Sequence, residues 1–112
     1  GTLLAHVRRG DVVAVHSLRR GAAEALEIVA HGSSSESKVV GKPIEEIPLP
    51  RGATIGAIVR NEVRDERVVR REVIMPHHDT LIEQDDHVIV FCTHKKLVRQ
   101  VEKLFQVGFT FL

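Results

Sequence analysis

Along most of this chain apolar and polar positions alternate, and where the alternation stops they recur at helical spacing. DVVAVHSL at 11–18 is rich in Val and predicts a strand. AAEALEIVAH at 22–31 places Leu26, Ile28 and Ala30 on one face and Glu27, Val29 and His31 on the other, a second strand expected at the centre of a sheet. TIGAIVRN at 54–61 sets Ile55, Ala57 and Val59 on one side, and RVVRREVIM at 67–75 follows through the charged turn RDE. DHVIVFCT at 86–93 is apolar on both faces and is expected to be buried. After it, HKKLVRQVEKLF carries Leu97, Val98, Val101, Leu104 and Phe105 at helical spacing, with Thr93 as the N-cap. Two further helical signals are shorter. TLLAHVRR at 2–9 reads as the last turns of a helix stopped by Gly10. Pro43 opens a brief helix with Glu45 and Glu46 near its positive end, and Pro48 and Pro50 stop it. GSSSES at 32–37 is a surface loop. The order of elements predicts an α+β fold: a small mixed or antiparallel sheet with a short helix and a C-terminal helix packed on one face.

Composition narrows the classes of function. The 112 residues make one domain, 43% hydrophobic and 28% charged, in the range of a soluble globular protein. The longest apolar run, VIVFC at 88–92, is far too short to span a bilayer. Lys and Arg number 16 against 15 Asp and Glu, a net charge of +1. The arginine pairs Arg8/Arg9, Arg19/Arg20 and Arg70/Arg71 are dispersed and lack aromatic stacking partners, which argues against nucleic acid as a partner. The lone Cys92 excludes an internal disulfide framework and a Cys-rich zinc site, and its apolar surroundings predict a reduced core thiol. The opening on Gly1, directly in helical pattern, is read as the cut edge of something longer.

MPHHDTLIEQDDHVIVF at 75–91 concentrates the candidate chemistry. One reading is turn chemistry: Asp79-Thr80 and Asp85-Asp86 bond nearby backbone amides, with Leu81 as a buried anchor between them. His77 and His78 are neighbours, so in extended chain they point to opposite faces and do not share one ion. The alternative is a metal site, and a small metal-binding or metal-dependent hydrolytic domain, built from His77, Asp79 and His87 with His94 in reach; the i, i+2 spacing of His77 and Asp79 permits it. A third possibility is histidines facing a partner subunit and titrating near neutral pH. No Ser stands in a GxSxG elbow, and no catalytic residue is assigned; the expectation is that this is not an enzyme. The tail QVGFTFL at 106–112 alternates Val107, Phe109, Phe111 and Leu112, and predicts self-packing or a dimer contact through Phe109, Phe111 and Leu112.

SKVVGKPIEEIPLPRGATIGAIVRN, followed by VIMPHHDTLIEQDDHVIVFCTHKKLVRQVEKLF, resembles the C-terminal lobe of the domain that regulates potassium conductance, called RCK-C or TrkA-C. The telling elements are Val40-Gly41-Lys42-Pro43 before the short helix, the strand from Ile55 to Val59, Pro76, Asp79-Thr80-Leu81, and a second acidic turn before the last strand and helix. The family usually has Gly-Asp at that turn, where this chain has Asp85-Asp86. The resemblance covers about residues 12–106. It implies that residues 1–21 are the end of a crossover helix and a connecting strand from a Rossmann-like lobe, and that 22–112 are the RCK-C lobe with its apolar tail 107–112. It implies a non-catalytic regulatory and dimerisation lobe of a cytoplasmic subunit, peripheral on the inner face of the plasma membrane. That subunit would gate a membrane potassium transporter of the TrkH/TrkG type. NAD or ATP is expected on the Rossmann-like lobe, with no cofactor in these residues; no GxGxxG occurs, and Gly52 and Gly56 are wrongly spaced and precede a strand. Members of the wider family bind cyclic dinucleotides or other effectors between paired C-lobes. Mapped onto this chain, that surface involves Ile47, Arg51, Thr54, Ile55 and Pro76, with Arg51 displaced beyond Pro48-Leu49-Pro50. The alternative is that Ile47 and Ile55 are core or dimer contacts and Arg51 a solvated turn residue.

Overall fold

The computed structural model describes residues 7–8, 11–18 and 23–108. Five strands form one sheet: β2 Asp11–Leu18, β3 Ala23–Val29, β4 Ala53–Arg64, β5 Arg67–Ile74 and β6 His87–Cys92. Their order is β2-β3-β6-β4-β5 and every pairing is antiparallel. The centre is therefore β6 rather than β3, which lies one place off it. A 3₁₀ turn, Ile44–Glu46, follows Pro43, and one α-helix, α1, spans Lys96–Phe105. The expected α+β class, an antiparallel sheet with a short helical turn and a C-terminal helix, is borne out.

Alternation builds the core on the face that α1 covers. Leu26, Ile28 and Ala30 of the β3 segment and Val88 and Val90 of β6 are fully buried there, joined by Val101 and Phe105 from α1 and by Val39 and Ile82 from loops. A sheet face lined by β-branched residues against a helical stripe is the standard solution for a domain this small. Strand β4 departs from simple alternation. Its register against β6 slips between Ile55 and Ala57, so Ile55 and Ile58 face the core while Ala57 and Val59 turn to the opposite face. The expected Ile55, Ala57, Val59 row is thus broken by a bulge at Gly56. Gly is needed there because the Phe91 ring of β6 lies across it, where any Cβ would collide.

The β4–β5 hairpin turns through Asp65 and Glu66, both with positive φ (52° and 65°), the two-residue turn whose twist matches the strands. Edge strand β5 has no buried side chain. At the start of the chain, Val7–Arg8 is a two-residue strand, β1, paired antiparallel with β7, Val107–Gly108. This corrects the reading of 2–9 as the end of a helix where it can be checked: tail and N-terminal segment satisfy each other's backbone groups instead. Residues 2–6, the turn 19–21, and Phe109, Phe111 and Leu112 lie outside the described residues. Helix α1 begins later than expected, and Thr93 does not cap it. The N-cap position is Lys95, which offers no side-chain cap; the His94 Nδ1 accepts the backbone N–H of Lys96 at 3.1 Å.

Candidate functional site

The acidic, histidine-rich loop after β5 is fastened to the body from both sides. The amides of Ile44 and Glu45 in the 3₁₀ turn donate to the carbonyls of Thr80 and His78 (both 2.9 Å), and Pro43 bridges Leu81. Next, Ile82 donates to the Lys42 carbonyl at 3.1 Å and Gly41 to the Ile82 carbonyl at 2.7 Å. On the far side Asp85 donates to the Ala30 carbonyl (2.6 Å) and Ala30 to that of Asp86 (2.9 Å). The Val-Gly-Lys-Pro segment is therefore the strap that holds the loop against the sheet. The buried anchor within it is Ile82, wholly inaccessible, whereas Leu81 is 50% exposed; the expectation for Leu81 is corrected by one position. The first turn is likewise closed by Thr80, whose Oγ1 accepts the His77 amide at 2.9 Å, and not by the Asp79 carboxylate.

The second turn contains the polar centre of the lobe. Asp86 is 1% exposed. Its Oδ1 accepts Arg60 Nε at 2.9 Å, while Oδ2 accepts Arg60 Nη2 at 2.8 Å and the Glu83 amide at 2.8 Å. The guanidinium also donates to the Leu81 carbonyl at 3.1 Å and meets the Glu83 carboxylate at 3.1 Å. One arginine on β4 thus clamps the whole 81–86 turn through a fork-to-fork pair. The hydrogen bond to Asp86 raises the Arg60 pKa, against the opposing effect of burial. Asp85 takes the left-handed conformation (φ 68°), which carries some backbone cost for a residue with a Cβ.

Three histidines each face a carboxylate from a different segment: His87 to Glu27 at 2.8 Å, His31 to Asp85 at 3.3 Å, and His78 to Glu45 at 3.4 Å. Among the described residues no three His, Cys, Asp or Glu side chains converge to hold a metal ion. His77, Asp79 and His87 are thus not brought together: His87 turns to Glu27 across the sheet, while His77 and Asp79 sit exposed in the loop.

A family model described as the TrkA-C domain matches residues 34–106, the stretch holding the strap, the acidic loop, β4 to β6 and α1. The chain belongs to the TrkA-C family. Its relatives include the Trk system potassium uptake protein TrkA of Halomonas elongata, 56% identical over 111 residues. The proteins of that name in Vibrio alginolyticus and Haemophilus influenzae are 58% and 46% identical, each over 110 residues. These alignments take in 98–99% of the chain but 22% of each relative, so the chain spans about a fifth of the length of the curated relatives it matches.

Within this TrkA-C lobe the five residues mapped to a ligand surface are dispersed in character. Ile47 and Ile55 are each 6% exposed and belong to the core cluster. Arg51 and Thr54 are exposed, Pro76 half-buried. Thr54 pairs with Phe91 on the uncovered face, opposite to Ile55. That uncovered face was not foreseen as a feature. Register places Ala57 and Val59 of β4, Ile89 and Phe91 of β6 and Val73 of β5 together on it, with Phe91 47% and Val73 64% exposed. At its edge a cleft of about 480 Å³ lies between Val13, Val29, Val63, His31 and His87. The sequence signal was present in β6, apolar on both faces, which announces two apolar surfaces without saying what covers the second. No helix among the described residues is long and apolar enough to cross a membrane.

Proposed function

We propose that this lobe is the non-catalytic regulatory and dimerisation module of a cytoplasmic subunit, peripheral to the plasma membrane, that gates a potassium transporter of the TrkH/TrkG type. The nucleotide that drives the response, NAD or ATP, would be held by a Rossmann-like lobe elsewhere in the longer protein. What carries the reading is the alignment of nearly the whole chain with proteins named for potassium uptake. The geometry supports it. Asp86, His87, His78 and Asp85 of the 75–91 stretch are engaged in a turn and in pairwise contacts, a use that serves rigidity rather than proton transfer. The apolar row Ala57, Val59, Ile89, Phe91 and Val73 supports pairing with a second copy. A lobe that only pairs and transmits must offer different contacts in the two states of the full assembly.

The test has two arms. Sedimentation of the lobe compares the parent with Phe91→Glu, whose folding is checked by circular dichroism; a dimer that becomes a monomer is expected. Potassium uptake by cells carrying the full-length subunit is then measured with the lobe intact or deleted, while nucleotide binding is followed separately. Deletion is expected to leave binding in place and abolish the nucleotide-dependent change in uptake. Uptake that still follows nucleotide without the lobe would refute the regulatory reading. A parent lobe that sediments as a monomer would refute its dimerisation.

A further inference from the structure

We infer that the solvent face of α1, together with the groove at its C-terminal end, docks an extended acidic segment of a partner protein. The inference is independent of the reading above. Lys96, Arg99 and Lys103 stand at i, i+3 and i+7 on α1, all exposed, a stripe roughly 10 Å long at the helical rise. Lys95 adjoins it at the N-terminus, and Lys38 faces it across the groove. None of these five side chains makes an ion pair with another described residue. The only acid in α1 is the half-buried Glu102. In a chain with a net charge of only +1, this face is a concentration of one sign.

At its N-terminal end the placement runs against helix stability, whereas Lys103 in the last turn suits the helix dipole. The first turn of α1 has no acidic residue and begins beside Lys95 and Lys96, where the positive end of the helix disfavours cations. Local choices that oppose the fold are expected at binding surfaces. Below the stripe lies a groove of about 330 Å³. Pro48, Pro50 and Leu104 form its apolar wall, and the Gln100 and Gln106 amides stand beside it. Side-chain amides can both donate to and accept from the main chain of an extended peptide. Lys38 and Lys103 supply the rim charge, and no acid lines it.

A membrane surface fits less well. A helix lying on lipid presents large apolar residues between its cations, whereas the exposed α1 positions, Lys96, Arg99, Gln100 and Lys103, are all polar. The ligand chemistry is thus one apolar side chain, Leu or Pro, flanked by carboxylates.

The experiment is fluorescence anisotropy on the 112-residue chain, with a fluorescein-labelled peptide bearing a Leu-Pro centre flanked on both sides by Glu. Saturable binding at low salt is expected, weakened about tenfold or more between roughly 50 mM and 500 mM salt. The double variant Lys96→Glu/Arg99→Glu should weaken it by a similar factor, and so should Lys103→Glu. A peptide with Ser-Ser in place of Leu-Pro should also lose affinity, which reports on the groove rather than on charge. Arg67→Glu, an equal charge change on exposed β5, should have no effect. Melting curves check that each variant folds. Absence of saturable binding overturns the inference, as does an equal loss in Arg67→Glu. Co-sedimentation with phosphatidylserine vesicles that the α1 variants abolish, without peptide binding, overturns it in favour of a membrane.

Discussion

Removing either half of the Arg60–Asp86 pair should cost very different amounts of stability. Asp86 is 1% exposed and Arg60 26% exposed, so the carboxylate depends on its partner far more than the guanidinium does. Arg60→Met keeps the aliphatic stem but removes two charge-assisted bonds, leaving the buried carboxylate with the Glu83 amide alone. Breaking a buried pair from one side costs about 3–5 kcal/mol. Water can approach through the exposed part of Arg60, which places this case near the lower end, about 3 kcal/mol. Asp86→Asn keeps the shape and, with its amide oxygen at the Oδ2 place, the Glu83 and Arg60 Nη2 contacts; its NH2 group loses the Arg60 Nε bond, and Arg60 retains the Glu83 carboxylate, the Leu81 carbonyl and solvent. Its cost should be nearer 1–2 kcal/mol, that of weakened hydrogen bonds without a stranded charge. The exposed Arg64–Glu62 pair sets the floor: Glu62→Gln should change stability by less than about 1 kcal/mol. With no Trp or Tyr in the chain, urea unfolding followed by far-ultraviolet circular dichroism is the assay. At about 4 °C per kcal/mol, Arg60→Met should lower Tm by roughly 12 °C. An Arg60→Met protein within 1 kcal/mol of the parent, or an Asp86→Asn protein less stable than it, would refute the stranded-carboxylate argument.

Three other outcomes follow from the same geometry. Ile82→Ala should cost about 2–5 kcal/mol as a core truncation, and Leu81→Ala under about 1 kcal/mol, since only Ile82 is buried; equal losses would contradict the placement of the strap. Gly56→Ala should destabilise by about 1–3 kcal/mol because the new methyl meets the Phe91 ring, and Phe91→Ala in the same chain should recover part of that loss; additivity in the double variant would count against the contact. Burial first, and then the Glu24 carboxylate, push the Cys92 thiol pKa up. At pH 7.5 a disulfide reagent should therefore label Cys92 only as fast as the chain opens, and prompt labelling of the native protein would refute a closed core there.

Local pattern carried the strands, the short turn after Pro43 and α1, because each rests on neighbours two to four residues away. What escaped the sequence was decided at longer range. The register shift at Gly56 is set against another strand, whose Phe91 ring fills the space of a Cβ there, and no alternation rule applied to TIGAIVRN alone could place Ile58 inward with Ile55. Arg60 and Asp86 are 26 positions apart, and neither has a local signature that names the other. Leu81 and Ile82 are equally hydrophobic; the choice between them was made by the strap 41–43, whose backbone pairing sets which side chain turns inward. The helical reading of 2–9 failed at Val7–Arg8 because a two-residue strand is defined by its partner near the other end of the chain. The histidines were legible as polar partners but not as three separate carboxylate contacts, since Glu27, Glu45 and Asp85 come from three segments.

The two faces of the sheet impose different constraints on any partner. The covered face is filled: its side chains from β3, β4 and β6 meet α1 and the strapped loop, and Arg60 with Asp86 closes one corner. A change of state that passed through that face would have to break the pair, at a cost of several kcal/mol. The opposite face has apolar residues and no such lock, and its strands end in an edge, β5, with no buried side chain. The α1 stripe lies on the solvent side of the helix, away from the uncovered sheet face, so occupation of the groove would not compete with the proposed pairing through Phe91 and Val59. Under the proposed pairing, a lobe built this way would move as a rigid body, and coupling would be carried by how copies sit against one another rather than by rearrangement within each. Hydrogen exchange therefore has a definite expectation: amides of β3 and β6 should be protected to the global limit, and those of β5 should exchange through local opening.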